Sequence, residues 1–153
     1  MDCQKDLRKH VLELLEGKSA HIDLESAIRD FPVDKINTRP AKSPHSAWQL
    51  LEHIRIAQWD ILEFSRDAKH ASPDWPEGYW PKAEGTPDSW QKSVDQILSD
   101  LQSMRHLVSD EANDLYAAFP WGDGQTLLRE ALLVADHNAY HLGQIVLLNK
   151  MLG

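Results

Sequence analysis

His137 and His141, in the stretch "ADHNAYHLGQIVLL" (135–148), stand four residues apart and are well placed to do chemistry together. In a helix, positions i and i+4 project from one face. Two imidazoles so placed can ligate one metal ion. Each can equally rest in a core on a hydrogen bond to a carbonyl or carboxylate, and the pair alone leaves both readings open. Gln144 and, two turns earlier, Glu130 share the face, so a polar column runs up a stripe of Leu127, Val134, Ile145 and Leu148. An unpartnered buried polar group costs about 1–3 kcal/mol. Neighbouring rings on a buried face therefore demand partners, and a metal would serve both at once.

A catalytic metal site needs a third protein ligand and keeps one position for water or substrate. The candidate is His53, in the middle of "SPHSAWQLLEHIRIAQWDILEFSRDA" (43–68). At about 100° per residue it falls on the core-facing flank of that segment, near Ala57, Asp60 and Phe64. His10, His45, His70 and His106 lie at helix ends or on charged stretches and are expected to be solvated; His21, in a loop, has no distinguishing feature. The chain contains no Glu-x-x-His, which argues against a di-iron carboxylate bundle. Asn138, not Glu, follows His137, so the zincin general base is absent.

A three-histidine site with a vacant position can lower the pKa of bound water to about 7 or hold a thiolate. Imidazoles suit zinc, nickel, copper or iron, so the ion's identity is not readable from its ligands. No general base stands out, and the catalytic residues beyond the ligands are unknown. Asp60 and Gln144 are candidates for orienting a ligand or a substrate; a solvated face position for Asp60, and a bond inside the bundle for Gln144, are the alternatives. Tyr140 flanks the pair but points about 100° away. Cys3 is the one cysteine, so it can form no internal disulfide, and its place at the N-terminus makes a catalytic thiol a poor prospect.

These side chains need helices to carry them. Apolar residues recur at helical spacing, and no segment alternates as a strand would. The spacing predicts a helix over 4–16, with Leu7, Val11, Leu14 and Leu15 on one face and Gly17 as its stop, and a short segment from Asp23 to Phe31 that continues it. Ser43 is the expected N-cap of the His53 helix, with Pro44 at its first position. A further helix should begin near Asp88 or Ser89, and the last should run from about Thr126 to Lys150. That last helix is apolar all round, which predicts a place in the middle of the domain. Between them, "HASPDWPEGYWPKAEGTP" (70–87) is a long crossover with Trp75, Tyr79 and Trp80, expected to pack over a bundle end. Trp75, Tyr79, Trp80 and Trp121 could line a pocket, but filling bundle ends is the favoured role. Four long helices and one long crossover predict an all-α four-helix bundle, residues 1–153 forming one domain.

Composition agrees. The 153 residues are 42% hydrophobic, enough for one core. A net charge of −8, from 16 basic and 24 acidic side chains, argues against nucleic acid as a partner. No apolar run approaches the roughly 20 residues of a membrane span, and the first residues show no signal-peptide core. A cytoplasmic protein with no membrane partner is expected.

Two segments also carry a family resemblance. "SAWQLLEHIRIAQWDIL" and "HNAYHLGQIVLLNKMLG" resemble the two histidine-bearing helices of the DinB/YfiT-like family of metal-dependent enzymes; the second, H-x3-H followed by Gly-Gln and ending near Leu-Gly, is the more specific. Order and spacing fit over essentially the whole chain. The resemblance implies an up-down-down-up bundle with its crossover at 70–87 and a divalent ion, commonly nickel or zinc, on His53, His137 and His141. It implies a small-molecule substrate, handled by a thiol-dependent S-transferase or isomerase using a low-molecular-weight thiol, or by a hydrolase. It also implies a homodimer. A non-catalytic metal-binding or stress-associated bundle, and a purely structural bundle with three buried histidines, are the competing expectations.

Overall fold

The computed structural model describes residues 3–40 and 42–153. Among the described residues it is all-helical, with five α-helices and no strand beyond one isolated bridge between Ala118 and Thr126. The helices are α1 (Cys3–Glu16), α2 (Leu24–Arg29), α3 (Ala47–Arg66), α4 (Pro87–Ser109) and α5 (Leu127–Leu152). α3 packs on α4 and α5, α1 packs on the same two helices, and α2 lies against α5 and α4. No helix of the described residues is long and apolar enough to cross a membrane.

The helix ends follow from local chemistry. Gly17, at φ +70°, takes the left-handed conformation that stops α1. α2 is a separate helix rather than a continuation, started by Asp23, whose carboxylate accepts from the Ser26 N–H at 2.9 Å. The N-cap of α3 is Ser46, not Ser43. Gln49 completes a capping box with Ser46, which satisfies two orphan donors at once. Ser43 has no third-neighbour Glu or Gln and instead donates its hydroxyl to the His45 carbonyl at 2.7 Å. α4 begins at Pro87, one residue earlier than expected, because Thr86 and Ser89 form a second capping box. Thr126 caps α5 through the Arg129 N–H at 3.2 Å.

The core falls into two apolar clusters. One joins α2 and the first halves of α3 and α4 to the end of α5; the other joins α1 and the later halves of α3 and α4 to the start of α5. Gln58 is buried in this interior, donating to the Ile97 carbonyl at 2.7 Å and accepting from Asn138 at 2.7 Å. One side chain thus ties α3 to both α4 and α5, next to His137. At the end of α4, buried Arg8 donates to the carbonyls of Val108 (2.6 Å), Asp110 (3.2 Å) and Asn113 (2.5 Å), satisfying groups the helix leaves orphaned.

Two burial expectations are overturned. Leu14 is exposed, because it borders an open groove between the end of α1, the following loop and α5. α5 is not enclosed on all sides: Leu132, Tyr140, Leu147 and Met151 are exposed. Its neighbours cover its other faces, and none covers this one.

Candidate metal centre

α3 contributes His53 and α5 contributes His137 and His141, and the three converge. One ligand-capable atom from each lies within 4.8 Å of the other two. Ring centroids are 4.9 Å apart for His53 and His137, 4.7 Å for His53 and His141, and 4.6 Å for His137 and His141. His53 and His141 are buried and His137 is half-buried. The i, i+4 spacing on α5 sets two rings side by side, and the α3–α5 packing delivers the third across the helix pair.

Hydrogen bonds fix which nitrogens face inward. His53 Nδ1 lies 3.0 Å from the Tyr79 carbonyl. A carbonyl only accepts, so Nδ1 carries the proton and Nε2 of the neutral ring keeps its lone pair. His141 Nδ1 donates to Gln144 Oε1 at 2.6 Å, which leaves its Nε2 in the same state. His137 Nε2 lies 3.1 Å from His53 Nε2, while its buried Nδ1 has no hydrogen-bond partner. Three imidazoles with inward nitrogens, two of them locked by their outer nitrogens, match the donor set of a three-histidine ion site. The orphaned Nδ1 shows that hydrogen bonding within the protein does not satisfy the cluster.

Electrostatics keep the rings neutral, as ligation requires. Burial, then the neighbouring charges of His141 and His53, pushes His137 from 6.5 down to about 4. Burial is also the first cause lowering His53 and His141.

The 70–87 crossover straps the His53 side of the site rather than a bundle end. Trp80 stacks on His53 with centroids 4.1 Å apart and planes 2° from parallel, and on His45 at 4.2 Å. Tyr79 gives its carbonyl to His53 and its hydroxyl to Asp60 Oδ2 at 2.6 Å. Asp60 Oδ1 lies 2.7 Å from His70 Nε2, so Asp60 ties the start of the strap and its middle. Burial, reinforced by Asp60, pushes the Tyr79 hydroxyl up to about 12. Farther on, Trp48 Nε1 donates to the Ala83 carbonyl at 2.8 Å, and Asn37 bonds both the N–H (2.9 Å) and carbonyl (2.8 Å) of Gly85. Gly85 is required there: a Cβ would stand 2.4 Å from the Trp48 ring.

Several expectations change accordingly. Asp60 does not lie on a solvated face; it is half-buried and holds Tyr79. Gln144 bonds His141 directly. His45 and His70 are half-buried partners of Trp80 and Asp60, not solvated side chains. His10, His21 and His106 are exposed, as their charged or loop surroundings imply. Trp75 is 73% exposed despite being aromatic. Trp121 is exposed, although it donates to the Phe64 carbonyl at 2.9 Å and stacks on Phe119. Tyr140 is exposed, with its ring edge-on to His141 at 4.9 Å. Cys3 is exposed, and no metal-ligating cluster of the described residues includes it. The roles of His45, His70 and Trp80 were hidden because a crossover's landing place is a tertiary fact. The available signal was three aromatics and a histidine in one crossover following a histidine-bearing helix.

The sequence pattern of the DinB superfamily matches residues 18–145. Comparison with curated proteins gives no match, and comparison with solved structures gives none.

Proposed function

The chain belongs to the DinB superfamily, and on that footing we propose that it is a metal-dependent enzyme acting on a small molecule. His53, His137 and His141 would hold one divalent transition ion through Nε2, with nickel or zinc first in order. When bound, such an ion supplies a Lewis acid and a positive charge for a substrate oxygen or a thiol sulfur. The reaction is transfer or isomerisation with a low-molecular-weight thiol, or hydrolysis. The chain's own groups do the positioning: Tyr79 and Gln144 fix two ring tautomers, and Trp80 excludes water from one face of His53. The observation that carries the reading is the convergence of three neutral imidazoles with inward nitrogens, one of them with an orphaned outer nitrogen.

The four long helices are assigned up-down-down-up order with 70–87 as the crossover; the core that joins the first halves of α3 and α4 to the end of α5 supports this. A homodimer accompanies the same reading, supported by exposed Leu132 and Tyr140 on α5. Light scattering of the purified protein tests it, and a monomer at micromolar concentration rejects it.

Elemental analysis after reconstitution with zinc or nickel should give about one ion per chain, and none for His137→Ala. Equal, substoichiometric metal in both proteins would end the metal reading. An activity screen with added thiol and metal should then show turnover that His53→Ala abolishes. A second reading, ion binding without turnover, draws on the Trp80 ring covering His53. It predicts full occupancy and no activity with any thiol or ester substrate in that screen.

A further inference from the structure

A recess of about 340 Å³ is walled by Leu50, Leu147, Leu148 and Met151 and reaches Gln144, the partner of His141. Its volume is within the range of small-molecule sites. One of its lining residues touches the histidine cluster and another touches the ring that covers it. Gln144 bonds His141, and His45 stacks on the Trp80 ring that covers His53. The recess and the cluster therefore meet at Gln144.

Charge narrows what would enter. The chain carries −8 overall, which repels anions in general. Yet no carboxylate lines this recess, and Lys42 does. Lys42 is exposed, and no salt bridge is found for it among the described residues. An apolar chamber with a lysine as its charged lining group suits an amphipathic anion.

We propose that this recess binds the organic body of the substrate, and that the substrate class is a small carboxylic acid or equivalent anion with an aliphatic or aryl body. Leu50, Leu147, Leu148 and Met151 take the apolar body, Lys42 takes the negative charge, and the His45–Gln144 wall adjoins the histidines. The assignment of this ligand as substrate rests on the metal-enzyme reading; the binding itself does not.

Sodium octanoate and its neutral counterpart octanamide are the probes, followed by NMR of methyl-labelled protein without metal. The expected result is saturable shifts at the Met151, Leu147 and Leu148 methyls, with octanoate bound about threefold tighter than octanamide, as one exposed ion pair allows. Met151→Trp, at an exposed position where folding tolerates the change, should weaken both probes about tenfold by filling the recess. Lys42→Gln should erase the preference for octanoate and leave octanamide unchanged. Unshifted methyls, wild-type affinity in Met151→Trp, or a preference surviving in Lys42→Gln would overturn the proposal.

The same titration on His137→Ala separates the two ideas. Octanoate should bind this variant as it binds wild type, so a failed metal reading leaves the recess standing. A failed recess leaves metal stoichiometry untouched. With cobalt(II) added to wild type, bound octanoate resonances should broaden strongly, and the broadening should vanish in His137→Ala. Octanoate that binds without broadening in cobalt-loaded protein would refute the meeting of recess and cluster.

Discussion

Lowering the pH should destabilise the metal-free protein through His137, and the size of the effect follows from its burial. The ring titrates near 6.5 in the unfolded chain and near 4 when folded, because burial and then the charges of His141 and His53 oppose its protonation. Its folded value is depressed, so between those values the unfolded state binds the extra proton. Stability is complete above 6.5 and declines as pH falls toward 4. At about 1.36 kcal/mol per pH unit, His137 alone removes about 2 kcal/mol by pH 5 and about 3 kcal/mol by pH 4. For a chain of this size, 2 kcal/mol is a fall of about 4–8 °C in Tm. His53 and His141 act in the same direction. Urea unfolding of metal-free wild type and His137→Phe at pH 7.5, 6 and 5 measures the difference, since the carboxylates common to both cancel. The variant should lose less stability than wild type across that range. Zinc at a hundred times its Kd should add about 2.7 kcal/mol to wild type at pH 7.5 and progressively less as protons compete for the rings. Parallel losses in the two proteins from pH 7.5 to 5 would refute the buried neutral imidazole.

Other expectations concern the groups around the cluster. Asp60→Ala should free the Tyr79 hydroxyl, loosen the carbonyl that orients His53 and weaken metal affinity about 10- to 100-fold in competition with a chelator; unchanged affinity would mean the rest of the crossover suffices. Trp80→Ala should expose His53, whose pKa then rises toward the ordinary imidazole value in a metal-free NMR titration, since burial is the first cause of its depression. Gln58→Ala should cost about 2 kcal/mol by leaving Asn138 and the Ile97 carbonyl unpaired, whereas Gln58→Leu with Asn138→Leu should cost less. Gly85→Ala must displace the Trp48 ring, so unfolding should show a loss of about 1–3 kcal/mol.

What could be read from the sequence was what depends on local spacing. The two rings of α5 meet because i and i+4 share a helix face, and that holds before any tertiary packing exists. His53 was placed by its position on the flank of an apolar stripe, which is again periodicity. The start of α3 was legible too, but only by weighing both halves of the cap: Ser43 before Pro44 is a fair signal, and Ser46 with Gln49 is a stronger one because it satisfies two donors. Where hydrophobicity alone had to decide, the reading failed. α5 is apolar on every side, yet Leu132 and Leu147 face outward. Apolar residues mark faces that gain by being covered; they do not say that this chain covers them.

The crossover shows the same limit from the other direction. Nothing in the order of 70–87 says that Trp80 lands on His53 while Trp75, five residues earlier, stays in water. The landing is set by long-range pairings: Asp60 with Tyr79 and His70, Trp48 with Ala83, and Asn37 with Gly85. Each partner lies outside the segment or at its edge, and three of the anchoring side chains, Trp48, His53 and Asp60, lie on α3. The helix that supplies one inward imidazole thus also anchors the strap that locks it. A change at Asp60 therefore reaches the histidine cluster through Tyr79 even though its own carboxylate bonds His70 and Tyr79 rather than a cluster histidine. That coupling makes metal affinity a sharper readout of the crossover's seating than global stability. A loosened strap costs few core contacts, but it removes the acceptor that holds His53 Nδ1 protonated and its Nε2 turned inward.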